Sequence, residues 1–374
     1  MADGQVGEPV PTNGAGGYGR RALRAPTTRA QRPDAYAAVD LGTNNCRLLI
    51  ATPAGEGFRV IDAYSRVVRL GEGMGASGRL NEAAMERAIA ALGACAEKVR
   101  RRQVAGLKAV ATQACRAASN GAEFVARVEA ETGIRLEVIS PREEAQLSVA
   151  GCRNLLDRTA EAALVLDVGG GSTELSWLDL RQGTGPSAVR AWLSIPIGVV
   201  SLAEAFPEDL SDRDGWYETM VAAVRAKLKA FPHAERMRPA FADARAQLVG
   251  TSGAITSLAG LHLRLPRYER SKVDGLWLTD GDCRDAAARL LAMDEDGRSA
   301  EPCIGPDRAD LVLAGAAILE AVQREWPCRR VRVADRGLRE GLLLAMMAER
   351  GGGRRRRRPR SASAEGSASG AGGA

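Results

Sequence analysis

One phrase occurs twice in this chain. Val39-Asp40-Leu41-Gly42-Thr43 and Leu166-Asp167-Val168-Gly169-Gly170 each read as a short apolar strand closing on an aspartate, followed by a turn of small residues and a second strand. The two aspartates lie 127 residues apart. A single Asp-x-Gly hairpin can arise from turn chemistry alone. Two copies, each inside an apolar strand pair, imply a duplicated domain with one acidic strand end per half, the two turns facing across a cleft.

The flanking segments alternate in the same way. Runs 36–40, 46–51 and 58–70 read as strands, and 81–102 as a helix with Asn81 as its cap and Glu82 and Glu86 in its first turns. A strand at 107–111, a helix at 122–132, a strand at 136–139 and a helix at 142–156 follow. The pattern restarts with strands at 163–168, 172–178 and 192–195, helices at 199–205 and 216–230, a strand at 246–250 and a helix after it, and strong helices at 307–324 and 337–348. This order predicts an α/β fold. Its domains are 35–150 and 151–349, with the last helix free to pack back on the first. Segments 1–34 and 350–374 are Gly-, Ala- and Arg-rich without a hydrophobic period and are expected to be disordered.

That division also locates the charge. Of the formal +6, segment 1–34 carries +2 and segment 351–374 carries +5, leaving the body about neutral at −1. A basic nucleic-acid-binding body is thereby excluded, and any such role would rest on the tails, including the arginine run 354–358. Two histidines, His233 and His262, are too few for a histidine-rich metallohydrolase core, and both are expected to be structural. Seven cysteines without a C-x-x-C pair fit buried thiols in a reducing compartment. No apolar run is long enough to span a bilayer, and the N-terminus lacks a signal-peptide core, so the expected location is cytoplasmic.

The turns suggest chemistry. Gly169-Gly170-Gly171 followed by Ser172-Thr173 offers backbone N–H groups with no side chain in the way, the geometry of an anion nest. Thr43, Asn44 and Asn45 on the opposite turn can donate to a further phosphate. Asp40 and Asp167 are hard oxygen ligands suited to Mg²⁺, directly or through waters. Gly250-Thr251-Ser252-Gly253 leads a strand into a helix and offers that helix N-terminus to another phosphate or a nucleotide. Three such turns point to a polyanionic phosphate substrate.

The segments 40–47 (DLGTNNCR), 111–120 (ATQACRAASN), 139–147 (ISPREEAQL), 167–174 (DVGGGSTE), 250–253 (GTSG) and 335–341 (DRGLREG) together resemble the ordered motif set of the Ppx/GppA phosphatases. That family comprises exopolyphosphatases and guanosine pentaphosphate phosphohydrolases within the superfamily of actin-like ATPases and sugar kinases. The resemblance covers about 36–348. It implies two actin-like, ribonuclease H-like domains around a central cleft, with Mg²⁺ as cofactor. It further implies hydrolysis of terminal phosphoanhydride bonds of inorganic polyphosphate, or conversion of pppGpp to ppGpp, and often a homodimer. By the motif, Glu144 rather than Glu143 is the catalytic base, although two acids in a helix first turn also complement the helix dipole. Arg116 matches the arginine that contacts substrate phosphate, and Glu174 joins Asp167 in handling Mg²⁺ and water. Arg47 is either a phosphate contact or a salt-bridge partner. A sugar-kinase-type phosphotransferase lacks its adenosine-side and sugar-side motifs here, and a non-hydrolytic polyphosphate- or nucleotide-binding regulator would not need Glu144.

Family members often carry Ser where Thr43 stands, Ser-Phe for Asn45-Cys46 and Gly for Pro141. Longer members continue into a helical histidine-aspartate-type region. This sequence has no counterpart to that region, which bears on processivity.

Overall fold

A computed structural model of the chain describes residues 34–356 apart from Glu56 and His233. The tails 1–33 and 357–374, and the expectation for His233, lie outside the described residues.

The first copy of the phrase forms β1 (Tyr36–Leu41) and β2 (Asn45–Ala54), joined by β3 (Gly57–Val67), β4 (Gly106–Ala111) and β5 (Glu137–Val138) in the order β3-β2-β1-β4-β5. Strand β1 is a continuous apolar run because both of its faces are covered. Ala37, Val39 and Leu41 meet Ala88, Leu92 and Cys95 of the helix Glu82–Arg102, while Tyr36 and Ala38 meet Leu338, Leu342 and Met346 of the helix Leu338–Arg356. Asn81 caps the former as expected, its side chain accepting from the Ala84 N–H at 2.7 Å.

The second copy forms β6 (Ala162–Val168) and β7 (Thr173–Asp179), with β8 (Val189–Ile195), β9 (Ala246–Thr251), β10 (Trp277–Thr279) and β11 (Arg330–Ala334) in the order β10-β11-β9-β6-β7-β8. In each sheet the aspartate strand runs antiparallel to its hairpin partner and parallel to the strand on its other side. The path β3-β2-β1-β4-β5 therefore recurs as β8-β7-β6-β9-β11, with β10 added at the edge. This is a duplicated actin-like α/β fold.

Several elements differ from the sequence pattern. Strand β3 stops at Val67 because the Val68 and Arg69 N–H groups turn to the Asn44 carbonyl, at 2.8 and 3.0 Å. The helix expected at 307–324 begins at Val312, leaving Arg308 in the turn before it. Strands β10 and β11 have no clear signal: one spans three residues, and the other interleaves arginines with its valines. The arginines are accommodated because the Arg330 and Arg332 guanidiniums lie over the Trp277 ring, 4.0 and 4.9 Å from its centroid. The last helix runs to Arg356, past the expected end at 348 and across Gly351-Gly352-Gly353 into the segment expected to be disordered from 350, against local helix propensity. No helix among the described residues is long and apolar enough to cross a membrane.

Two sets of contacts fix how the sheets meet. The helix Pro141–Cys152 packs on the last helix through glycines: a Cβ on Gly151 would sit 2.0 Å from the Gly337 carbonyl oxygen, and one on Gly341 2.2 Å from that of Leu147. Arg69, at φ 47°, forms a two-pronged ion pair with Asp310 at 2.8 and 3.0 Å, and the Gly73 N–H donates to Glu204 at 2.9 Å. Backbone stands on both sides of the glycine seam, so Gly151→Ala should cost about 1–3 kcal/mol as overpacking. Urea unfolding is expected to show a lower midpoint at unchanged slope; an unshifted midpoint would show that the seam yields freely.

Candidate active site

The two small-residue turns touch. A Cβ on Gly170 would lie 3.0 Å from the Asn44 nitrogen and the Thr43 Cβ, and one on Gly171 only 2.0 Å from Gln113 Oε1. Glycine is required here by the approach of the opposite turn. The Gly169 and Gly170 carbonyls are taken by the Val199 and Val200 N–H groups at 3.0 and 2.8 Å, and the Thr43 Oγ1 donates to Gln113 Oε1 at 3.1 Å.

A cavity of about 120 Å³ is left between them, lined by Asp40, Thr43, Asn44, Asn45, Arg47, Glu144, Asp167, Gly169, Gly170, Gly171, Ser172, Ser252 and Gly253 among others. Asn44 Oδ1, Asn45 Oδ1 and Ser252 Oγ are buried there with no hydrogen-bond partner. Ser252 holds φ 95°, a strained value for a residue with a Cβ, at the start of the helix Gly253–His262. Arg47 reaches the same helix end, its Nη2 3.3 Å from where a Gly253 Cβ would be.

Glu143 and Glu144 part company. The Ser140 N–H and hydroxyl donate to Glu143 at 2.9 and 2.8 Å, closing a capping box behind Pro141 at the helix start and holding the Glu143 carboxyl below its ordinary range. Glu144, one residue on, is buried and faces the cavity. Burial foremost, then repulsion from Glu174, pushes its carboxyl well above the usual range, against the pull of Arg116. Arg116 itself donates to the Ile139 carbonyl at 2.7 Å and to Glu144 at 3.3 Å.

The hairpin registers distinguish the two copies. Asp40 stands opposite Arg47, whereas Asp167 stands opposite Glu174. Burial raises both aspartates; the Ser148 hydroxyl bonded to Asp167, and Arg47 near each, offset part of that. Glu174 is raised to about 7 by burial and by Asp167, although the Ser172 and Ser194 hydroxyls donate to it at 2.7 and 2.8 Å.

Five of the expected site residues do not line the cavity. Arg116 is engaged by Glu144 and a carbonyl, so it braces the glutamate. Glu174 lies behind Asp167. The Thr173 hydroxyl is committed to the Ile197 carbonyl at 2.7 Å and that of Thr251 to the Arg336 carbonyl, while Gly250 makes room for Ile255. His262 pairs with Asp282 at 3.6 Å, away from the cavity. The seven cysteines are free and buried.

A model of the Ppx/GppA phosphatase family matches residues 49–350. The chain belongs to that family. It is 31% identical over 328 residues to Exopolyphosphatase 2 of Mycobacterium tuberculosis, covering 83% of this chain and 98% of the relative. Among solved structures, an Aquifex aeolicus Ppx/GppA family member is 28% identical with a TM-score of 0.67, over 85% of this chain and 98% of that one. An exopolyphosphatase from Cytophaga hutchinsonii, 24% identical, shares the fold at a TM-score of 0.76, over 84% and 98%. As a Ppx/GppA protein the chain is a phosphoanhydride hydrolase.

Three residues of this Ppx/GppA cleft escape the sequence reading. Gln113 and Arg308 line the cavity, and Arg339, two residues past Gly337 in the last matched motif, lies beside Asp40 and Arg47. Gln113 lies inside the 111–120 motif and Arg339 inside 335–341, but only folding shows which motif members face the cleft.

Because Glu174 ionises at about 7 when folded and near 4.5 when unfolded, its burial costs nothing below the lower value and its full amount above the higher. Glu174→Gln, without divalent cation, should therefore match wild type near pH 4.5 and exceed it by roughly 3–4 kcal/mol above pH 7. Thermal unfolding across that range checks this; a pH-independent difference would contradict it.

Proposed function

We propose that this protein removes the terminal phosphate of inorganic polyphosphate, Glu144 taking a proton from the attacking water. The observation that carries the reading is the separation of Glu143 from Glu144: one is spent on the helix cap, the other is buried in the cavity with a raised pKa, as a general base requires. Arg116 orients it through one oxygen. The terminal phosphate would lie on the Gly169–Gly171 turn, where the unpartnered Ser252 hydroxyl can donate to its oxygens, while the unpartnered Asn44 and Asn45 Oδ1 atoms can accept from its bound water. The volume of about 120 Å³ suits a terminal phosphate group with water. The relatives named as exopolyphosphatases support the same substrate.

A divalent cation fits the donor set. Four carboxylates, Asp40, Glu144, Asp167 and Glu174, are all raised by burial, so a positive charge among them relieves a real cost. Among the described residues no three such ligands are gathered closely enough to enclose an ion by themselves. That suits Mg²⁺, which keeps waters and takes one or two carboxylates together with substrate phosphates. Asp167 and Asp40 would hold it, with Glu174 behind Asp167. When bound, it would neutralise charge on the phosphoryl oxygens.

Orthophosphate release from long-chain polyphosphate and from pppGpp, with Mg²⁺, tests the reading. Glu144→Gln should lower the polyphosphate rate about 10²–10⁴-fold. The wild-type rate should climb with pH through a value well above the ordinary glutamate range, since the base works only when deprotonated. An unaffected Glu144→Gln variant would overturn the mechanism; hydrolysis of pppGpp alone would replace the substrate.

A further inference from the structure

Beside the catalytic cavity lies a larger one, of about 680 Å³, which shares Asn45, Arg47, Gly253 and Arg308 with it and extends past Arg66 and Arg339. Several enclosed arginines elsewhere are matched by acids, Arg69 with Asp310, Arg298 with Glu208 and Arg336 with Asp274, and Arg332 lies over the Trp277 ring. Among the described residues Arg66, Arg308 and Arg339 form no ion pair, although all three face one cavity. The acids present are Asp307 and Asp335, the latter already held by Arg270 at 3.5 Å, so the arginines Arg47, Arg66, Arg308 and Arg339 outnumber them.

The other flank of the catalytic turn has the opposite character. A cavity of about 320 Å³ meets the turn at Asn44 and is bordered by Glu72, Glu204, Glu208, Glu295 and Asp310. Arg69 and Arg298 pair with Asp310 and Glu208, and Arg87 with Glu72, so Glu204 and Glu295 carry the acidic excess. A phosphate chain whose end lies at Glu144 is thus attracted along one flank and repelled from the other.

We infer that the arginine-lined cavity holds the inner phosphates of a linear phosphate chain, with Arg66 at its outer end setting the preference for long chains over short ones. Guanidinium forks grip successive phosphate oxygens and do not read a base. The chain therefore enters from the Arg66 side, and the acidic flank prevents it from running through the cleft, which makes attack terminal. This rests on reading the catalytic cavity as the site of phosphoanhydride hydrolysis.

Steady-state release from tripolyphosphate and from long-chain polyphosphate separates the two. Arg66→Glu, at an exposed position without an ion pair, should raise KM for the long chain on the order of tenfold, with kcat within about twofold. KM for tripolyphosphate should move far less, and Arg66→Lys should recover most of the long-chain loss. Raising salt should weaken long-chain binding more in wild type than in Arg66→Glu. Equal KM changes for both chain lengths, or none, would overturn the inference while leaving the reaction itself in place. A rise in KM for pppGpp and not for polyphosphate would assign the cavity to a nucleotide instead and equally overturn it. Wild type that releases phosphate from neither polyphosphate would instead defeat the underlying reading.

Discussion

Burying four carboxylates in one cleft is the constraint that the rest of this structure answers to. Asp40, Glu144, Asp167 and Glu174 are each driven above their ordinary ionisation range chiefly by loss of water. Such an arrangement survives only with compensation nearby. The protein supplies some: Arg116 against Glu144, Arg47 across from Asp40, and hydroxyls of Ser148, Ser172 and Ser194 on Asp167 and Glu174. The remainder suits a cation and a phosphate that bring their own charges into register.

Duplication explains how this arises from simple parts. Each half contributes the same hairpin, with an aspartate at the same strand end, and the copies differ at the position opposite it. Arg47 makes the first copy nearly neutral; Glu174 makes the second doubly acidic. A single architectural unit therefore provides two hairpins of unlike charge, and the glycines of the second turn let the two come into contact. The Arg69–Asp310 pair and the glycine seam hold that contact from opposite ends of the cleft.

Much of this is legible in the sequence because it is local. The echoed phrase, the triple glycine, the Asn81 cap and the apolar period of β1 each carry their signal within a few residues. The family motif favours Glu144 over Glu143 as the base, and the capping box at Ser140, which engages Glu143 and leaves Glu144 to the cavity, separates the two physically. What remained hidden is set by distant chain segments. Thr251 looks like a phosphate donor in its motif, yet its hydroxyl is claimed by the Arg336 carbonyl. Arg308 reads as a residue of a helix until that helix starts at Val312 and leaves it in the cleft. Gly151 has no visible purpose until Gly337 packs on it. Strand β11 is masked by arginines whose partner, Trp277, is remote in sequence.

Cation binding measures the unequal charge of the two hairpins most directly. Calorimetric titration of Mg²⁺ at pH 8 onto wild type, Asp167→Asn and Asp40→Asn compares the copies one carboxylate at a time. With Glu174 opposite Asp167 and Arg47 opposite Asp40, Asp167→Asn should weaken binding at least about tenfold, near 1.4 kcal/mol, and Asp40→Asn considerably less. Equal losses, or a larger loss from Asp40→Asn, would contradict it.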